Sequence, residues 1–85
     1  MDPIRILHKH WPGYGWSYTS PDVPGMTGGE STYDESVKQA EIGVRFTLEC
    51  EAEESGRPAP DLSGLEFDHY RSEAANTTAP APLAA

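Results

Sequence analysis

Residues 32–54 read TYDESVKQAEIGVRFTLECEAEE, and this stretch decides the fold because its spacing predicts one long amphipathic helix. Thr32 and Glu35 have the spacing of a capping box, in which the threonine side chain caps the first turn. Five apolar or aromatic residues recur at steps of three or four and are expected to face the core: Tyr33, Val37, Ala40, Val44 and Leu48. Gly56 and Pro58 predict where the helix ends.

A second apolar stripe lies on nearly the opposite side of this helix. It consists of Ile42, Phe46 and Cys50, which are spaced four residues apart. One helix on one sheet needs a single apolar face, and exposed apolar surface usually marks an interface. The second stripe therefore contacts a partner or another copy of the chain, unless the segment Pro60–Leu65 folds over it.

Alternating segments on both sides of the helix predict strands. Residues 4–11 and 15–20 flank a Pro/Gly turn, which is typical of an antiparallel hairpin. Met26 and Thr27 predict a short third strand, and residues 65–70 predict a fourth. The expected fold is α+β in the order β-β-β-α-β, a small antiparallel sheet with one long helix packed on one face.

Composition limits the class of protein. A chain of 85 residues with 36% hydrophobic residues holds one small domain, expected over residues 1–71. The Ala/Pro/Thr-rich residues 72–85 are expected to form a disordered tail. No stretch approaches the roughly 18 apolar residues of a membrane span, and no signal peptide is evident, so we expect a cytoplasmic location. Cys50 is the single cysteine, which excludes an internal disulfide and fits a reducing compartment.

The charge of the chain is −8, from 14 acidic and 6 basic residues. Such a balance argues against direct binding of nucleic acid, whose phosphates attract Lys and Arg, and is compatible with a basic protein partner. Residues 30–54 carry eight acids and two bases, which is −6 of the total, and Glu49 and Glu53 are among them. This acidic surface either attracts a basic partner or only keeps the protein soluble.

Few side chains are candidates for metal binding or catalysis. His8, His10 and His69 can bind a metal together, although histidines at strand ends more commonly belong to a polar edge. Cys50 lies among acidic residues, which disfavour the reactive thiolate. Asp22 lies in a proline-bounded loop, where a carboxylate usually caps a turn. We therefore predict no enzymatic activity, no metal site and no cofactor.

The segment from the second strand into the helix has a familiar pattern. Residues 16–25 read WSYTSPDVPG, residues 32–40 read TYDESVKQA, and residues 56–60 read GRPAP. This series resembles the N-terminal domain of the HicB-like antitoxin family of type II toxin–antitoxin systems. That domain typically shows an aromatic strand, a Pro-Asp-Leu-Pro-Gly-like stretch, a Thr-x-x-Glu-Ala helix start and a later Gly-x-Pro-x-Pro stretch. Ser36 replaces the usual alanine.

The resemblance implies a reduced ribonuclease-H-like fold without catalytic residues. It implies an antitoxin that neutralises a small basic mRNA-cleaving ribonuclease toxin (HicA-like) by masking it. The surface expected to contact the partner comprises Ile42, Phe46, Glu49 and Glu53, with Asp22 and Val23 as a secondary part. Family members often carry a C-terminal DNA-binding module, which nothing after Arg71 matches, so no direct DNA binding is expected. A homodimer or tetramer is expected. The alternative is an orphan homo-oligomeric structural or regulatory domain with no toxin partner.

Overall fold

The computed structural model describes residues 2–74. It contains four strands and one helix, in an order that confirms the predicted α+β architecture. The elements are β1 Ile4–Trp11, β2 Gly15–Thr19, β3 Thr27–Glu30, α1 Tyr33–Glu54 and β4 Phe67–Glu73. None of the helices in this part of the chain combines the length and the hydropathy that a membrane crossing requires.

The four strands form one mixed sheet in the order β3-β2-β1-β4. The β1–β2 and β2–β3 pairs are antiparallel, but β4 runs parallel to β1. The expected sheet was wholly antiparallel, and the difference arises because α1 carries the chain back across the sheet. A long crossover of this kind returns the next strand in the same direction as β1.

Two glycines make the β2–β3 side of the sheet possible. Gly15 has φ +108, and a Cβ there would come within 2.6 Å of the backbone oxygen of Glu30. Gly28 lies beneath the ring of Tyr18, which occupies the space that a side chain would need. β3 therefore includes the Gly28-Gly29 pair, whereas only Met26 and Thr27 were expected in this strand.

Both ends of α1 follow the predicted signals. The Thr32 side chain accepts the backbone N–H of Glu35 at 3.2 Å and caps the helix. At the other end Gly56 has φ +71, its N–H donates to Glu53, and the Arg57 N–H donates to Ala52. This pair of bonds is a Schellman motif, which satisfies carbonyls that would otherwise lack a partner.

The core lies between α1 and one face of the sheet. Its buried hydrophobic members are Ile6, Tyr18, Val23, Met26, Ala40 and Val44. Of the expected core face of α1, Ala40 and Val44 are buried, while Tyr33, Val37 and Leu48 are only half-buried. A core of six buried hydrophobic residues stabilises the domain modestly, since burial contributes about 25 cal/mol per Å² of apolar surface.

The last strand is shifted from its expected position. It begins at Phe67 instead of residue 65, because the Leu65 N–H donates to Leu62 in a turn before the strand. It continues to Glu73, beyond the expected domain boundary at residue 71. Residues 75–85, most of the expected tail, lie outside the described residues.

Candidate functional site

The outer face of α1 presents two large hydrophobic side chains to solvent. Ile42 is 50% exposed and Phe46 is 66% exposed. They are four residues apart, so they lie side by side on the same helix face. Cys50, one turn further on, is half-buried. The second stripe is therefore largely exposed, and the segment Pro60–Leu65 does not cover Phe46.

A shallow groove continues this stripe toward the C-terminal end of α1. It is lined by Phe46, Glu49, Cys50, Glu53, Arg57 and Ala59. The two glutamates expected to contact a partner thus lie directly beside the exposed phenylalanine. We call Ile42, Phe46, Glu49, Cys50 and Glu53 together the α1 outer surface. It combines an apolar centre with acidic neighbours, an arrangement found in protein interfaces.

The charge of the described domain is concentrated on α1. The helix carries seven acidic and two basic residues, whereas the four strands carry three of each. Within residues 2–74 the ion pairs are Arg5–Asp22, His10–Glu73 and His69–Glu41, so no salt bridge in this part of the chain involves Glu49 or Glu53. The α1 outer surface therefore keeps a negative potential that a basic partner can neutralise.

The loop expected as a secondary contact belongs to the fold. Val23 is only 2% exposed and packs in the core, so it offers no surface to a partner. This corrects the expectation for Val23. The physical reason is that the Val23 side chain points into the core, while its carbonyl accepts the Met26 N–H in a turn.

Asp22 of the same loop completes the sheet beside β1. Its carboxylate accepts the Arg5 backbone N–H at 2.9 Å and the Arg5 guanidinium at 2.7 Å. Ser20 donates to the Arg5 carbonyl, so the loop satisfies both backbone groups where β2 has already ended. The hydrogen bonds from Arg5 lower the pKa of Asp22 to about 2. Asp22 thus has a structural partner within the chain.

A chain of hydrogen bonds runs through the core between α1, β1 and β4. The Ser36 hydroxyl lies 2.7 Å from His8 Nδ1, His8 Nε2 lies 2.8 Å from His69 Nδ1, and His69 Nε2 lies 2.7 Å from a Glu41 carboxylate oxygen. We call these four side chains the histidine network. Ser36 and His8 are 0% and 1% exposed.

The carboxylate at one end of the histidine network determines which nitrogen of His69 faces it as a donor. An ionised Glu41 only accepts, so His69 Nε2–H donates to it. When both rings are neutral, the other nitrogen of His69 accepts from His8 Nε2–H, and His8 Nδ1 accepts the Ser36 hydroxyl. Burial, with a smaller effect of His69, lowers the pKa of His8 to about 4, which keeps this ring neutral.

The histidine network ties α1, β1 and β4 together, and its Ser36 end lies in the core. A nucleophile must reach a substrate, and the Ser36 hydroxyl is sealed in the core. Of the three histidines considered as metal ligands, His8 and His69 hydrogen-bond each other, whereas His10 bonds Glu73 at 2.9 Å and packs against Trp16 with the two rings tilted. No group of three His, Cys, Asp or Glu side chains among residues 2–74 is arranged so that it could hold a metal ion.

No protein-family model matches the chain, and no match was found among curated proteins or among solved structures. The functional interpretation therefore depends on the residues and on their geometry. Of the expected contact residues, the structure brings Ile42, Phe46, Glu49 and Glu53 together on one helix face, buries Val23, and pairs the exposed Asp22 with Arg5.

Sequence reasoning missed the histidine network. One available signal was that His8 shares a strand face with Ile6, which points into the core. A second was that Ser36 lies one turn before the buried Ala40. Together these positions predict a buried polar pair, which needs further partners to be stable.

Proposed function

We propose that this chain is an antitoxin-like binding protein, located in the cytoplasm, that masks a small basic mRNA-cleaving ribonuclease. The observation that carries the proposal is the α1 outer surface, where Phe46 and Ile42 are exposed among acidic side chains. Large exposed apolar residues with charged neighbours are typical of binding sites for a partner of opposite charge. The partner would insert an apolar residue beside Phe46 and place lysines or arginines against Glu49 and Glu53.

The architecture supports the same proposal. The order β-β-β-α-β is the one that the resemblance to HicB-like antitoxins implies. The charge distribution also fits a protein ligand, since seven acids on α1 disfavour direct contact with a phosphate backbone. The sealed position of Ser36 and His8 favours a binding role over a catalytic one.

The test first asks whether a small basic protein is encoded next to this chain, and then uses that protein in an mRNA-cleavage assay; the lack of such a neighbour would count against the proposal. The wild-type chain should block cleavage at an equimolar ratio. Phe46→Asp should weaken inhibition by at least about tenfold, because it places a charge at the apolar centre of the contact. Tyr14→Asp is the matched control, since Tyr14 is also an exposed aromatic residue but lies in the β1–β2 turn.

The control variant should inhibit within about twofold of wild type, as surface substitutions outside a contact have small effects. Equal inhibition by Phe46→Asp and wild type would overturn the assignment of the α1 outer surface. If neither the wild-type chain nor Tyr14→Asp inhibits the neighbouring protein, the antitoxin proposal itself fails.

A further inference from the structure

Within residues 2–74 no strand pairs with the outer edge of β4, which presents a row of backbone hydrogen-bonding groups. Ile4 N–H donates to the Glu66 carbonyl, and Ala74 N–H donates to the His10 carbonyl. These two bonds show that the even-numbered residues of β4 are the ones whose backbone groups bond β1. The N–H and C=O groups of four residues then point away from the sheet: Phe67, His69, Arg71 and Glu73.

The two edges of the sheet differ in how they are protected. β3 has only four residues, of which two are glycines, and a short strand is a poor template for pairing. β4 has seven residues and contains no proline, glycine or lysine. The helix does not cover it, because α1 packs mainly across β3 and β2. Natural proteins rarely leave a regular edge of this length unpaired.

The charge of the strands indicates which molecule can pair with the open edge of β4. The whole chain carries −8, so a second copy is repelled wherever the acids are concentrated. The strands carry three acids and three bases and are neutral. A second copy can therefore approach at the sheet, whereas α1 favours a basic partner.

We infer that two copies of this chain pair antiparallel through their β4 strands, about a twofold axis at Tyr70. This register is selected because Tyr70 is the middle residue of Phe67–Glu73, so every outward group of the strand finds a partner. Arg71 then lies opposite His69 of the other copy, and Phe67 lies opposite Glu73. Moving the register by one repeat places Arg71 opposite Arg71, which is unfavourable.

The same register joins two apolar patches on the face of the sheet away from α1. Leu7 and Tyr70 are neighbours on β1 and β4, and both are about half-exposed. A twofold axis at Tyr70 brings the two tyrosines together as a close pair without mutual backbone bonds. The result is a continuous strip in the order Leu7, Tyr70, Tyr70, Leu7, with both helices on the opposite face.

Solution mass and amide exchange of the full chain test this pairing. The wild type should have twice the mass of one chain, and the amides of Phe67, His69, Arg71 and Glu73 should exchange at least about tenfold more slowly than unpaired edge amides. Arg71→Pro removes an outward donor and leaves the β1–β4 ladder intact, because residue 71 does not bond β1. This variant should have the mass of one chain.

Arg71→Ala is the control, because it removes the guanidinium that stacks on Tyr33 and keeps the backbone donor. It should retain the doubled mass. A wild-type monomer would overturn the pairing, as would a dimer whose four edge amides exchange fast, or a folded Arg71→Pro dimer. If Arg71→Pro does not fold, the exchange rates of the wild type decide the question. The pairing and the proposed antitoxin role can fail independently, since this test contains no partner.

Discussion

The helix side and the sheet side of this domain offer contacts of different physical kinds. On the helix side, exposed Ile42 and Phe46 lie among seven helical acids, so a contact there depends on side chains and on charge. On the sheet side the strands are neutral and the open edge of β4 offers backbone groups. The comparison teaches that charge is segregated between the two sides, and under the two proposals above this segregation keeps a hetero-contact apart from a self-contact.

The histidine network links the helix to the sheet, and acidification is expected to destabilise the domain by disrupting this network. The pKa of His8 is about 4 in the folded chain, below its ordinary value of 6.5. As the pH falls, the unfolded chain takes up this proton first, so stability is full above about pH 6.5 and is lost progressively toward pH 4. The total loss from this group is on the order of 3 kcal/mol.

Chemical unfolding at a series of pH values measures this loss. His10→Asn changes a histidine outside the histidine network, and this variant should still lose stability between pH 6.5 and 4. His8→Asn should show little dependence of stability on pH in this range. Asp22 acts in a different window, because its lowered pKa removes stability only as the pH falls from about 4 toward 2. Stability that stays constant from pH 6.5 to 4 would contradict the buried neutral state of His8.

Ser36→Ala is expected to lower the stability of the domain by a smaller amount, because it removes one bond of the histidine network. The substitution deletes the donor to His8 Nδ1 and leaves that nitrogen buried without a partner, at a cost of about 1–2 kcal/mol. Thermal or urea unfolding at pH 7.5 measures the change. Ser31→Ala is a suitable control, because Ser31 is exposed and lies just before the helix. Equal stability of the two variants would show that the Ser36–His8 bond contributes nothing.

The smallest expected effect is that of removing negative charge from the α1 outer surface. Replacing both Glu49 and Glu53 by Gln should slow association with a basic partner a few-fold and reduce its salt dependence, because electrostatic steering acts mainly on the association rate. Self-association should not change, since neither residue lies on the sheet. Stopped-flow binding at two salt concentrations and solution mass provide the two readouts. A change in dimer mass would show that the two sides are not independent.

Much of the fold could be predicted because local signals carry it. The alternation in residues 4–11, the Thr32 cap and the stop at Gly56 each depend on neighbours in sequence. The direction of β4 could not be predicted in this way, because alternation is the same in parallel and antiparallel strands. Its start was misplaced because Leu65 extends the alternating pattern, while its backbone already belongs to a turn.

The candidate site was predictable to a different degree at each position. Ile42 and Phe46 follow from helical periodicity, which separates an outer stripe from the core face. The burial of Val23 depends on how the loop folds back, and the Asp22–Arg5 pair joins residues 17 positions apart. His8 meets His69 across 61 positions, so no local pattern predicts that contact.

Native mass spectrometry of the chain mixed with a small basic protein encoded next to it tests the central claim, that the helix side and the sheet side bind independently. The wild type should give an assembly of two chains and two partners. Arg71→Pro should give one of each, and Phe46→Asp should give two chains without a partner. The account is contradicted if Arg71→Pro loses the partner while folded, or if Phe46→Asp loses the second copy of the chain.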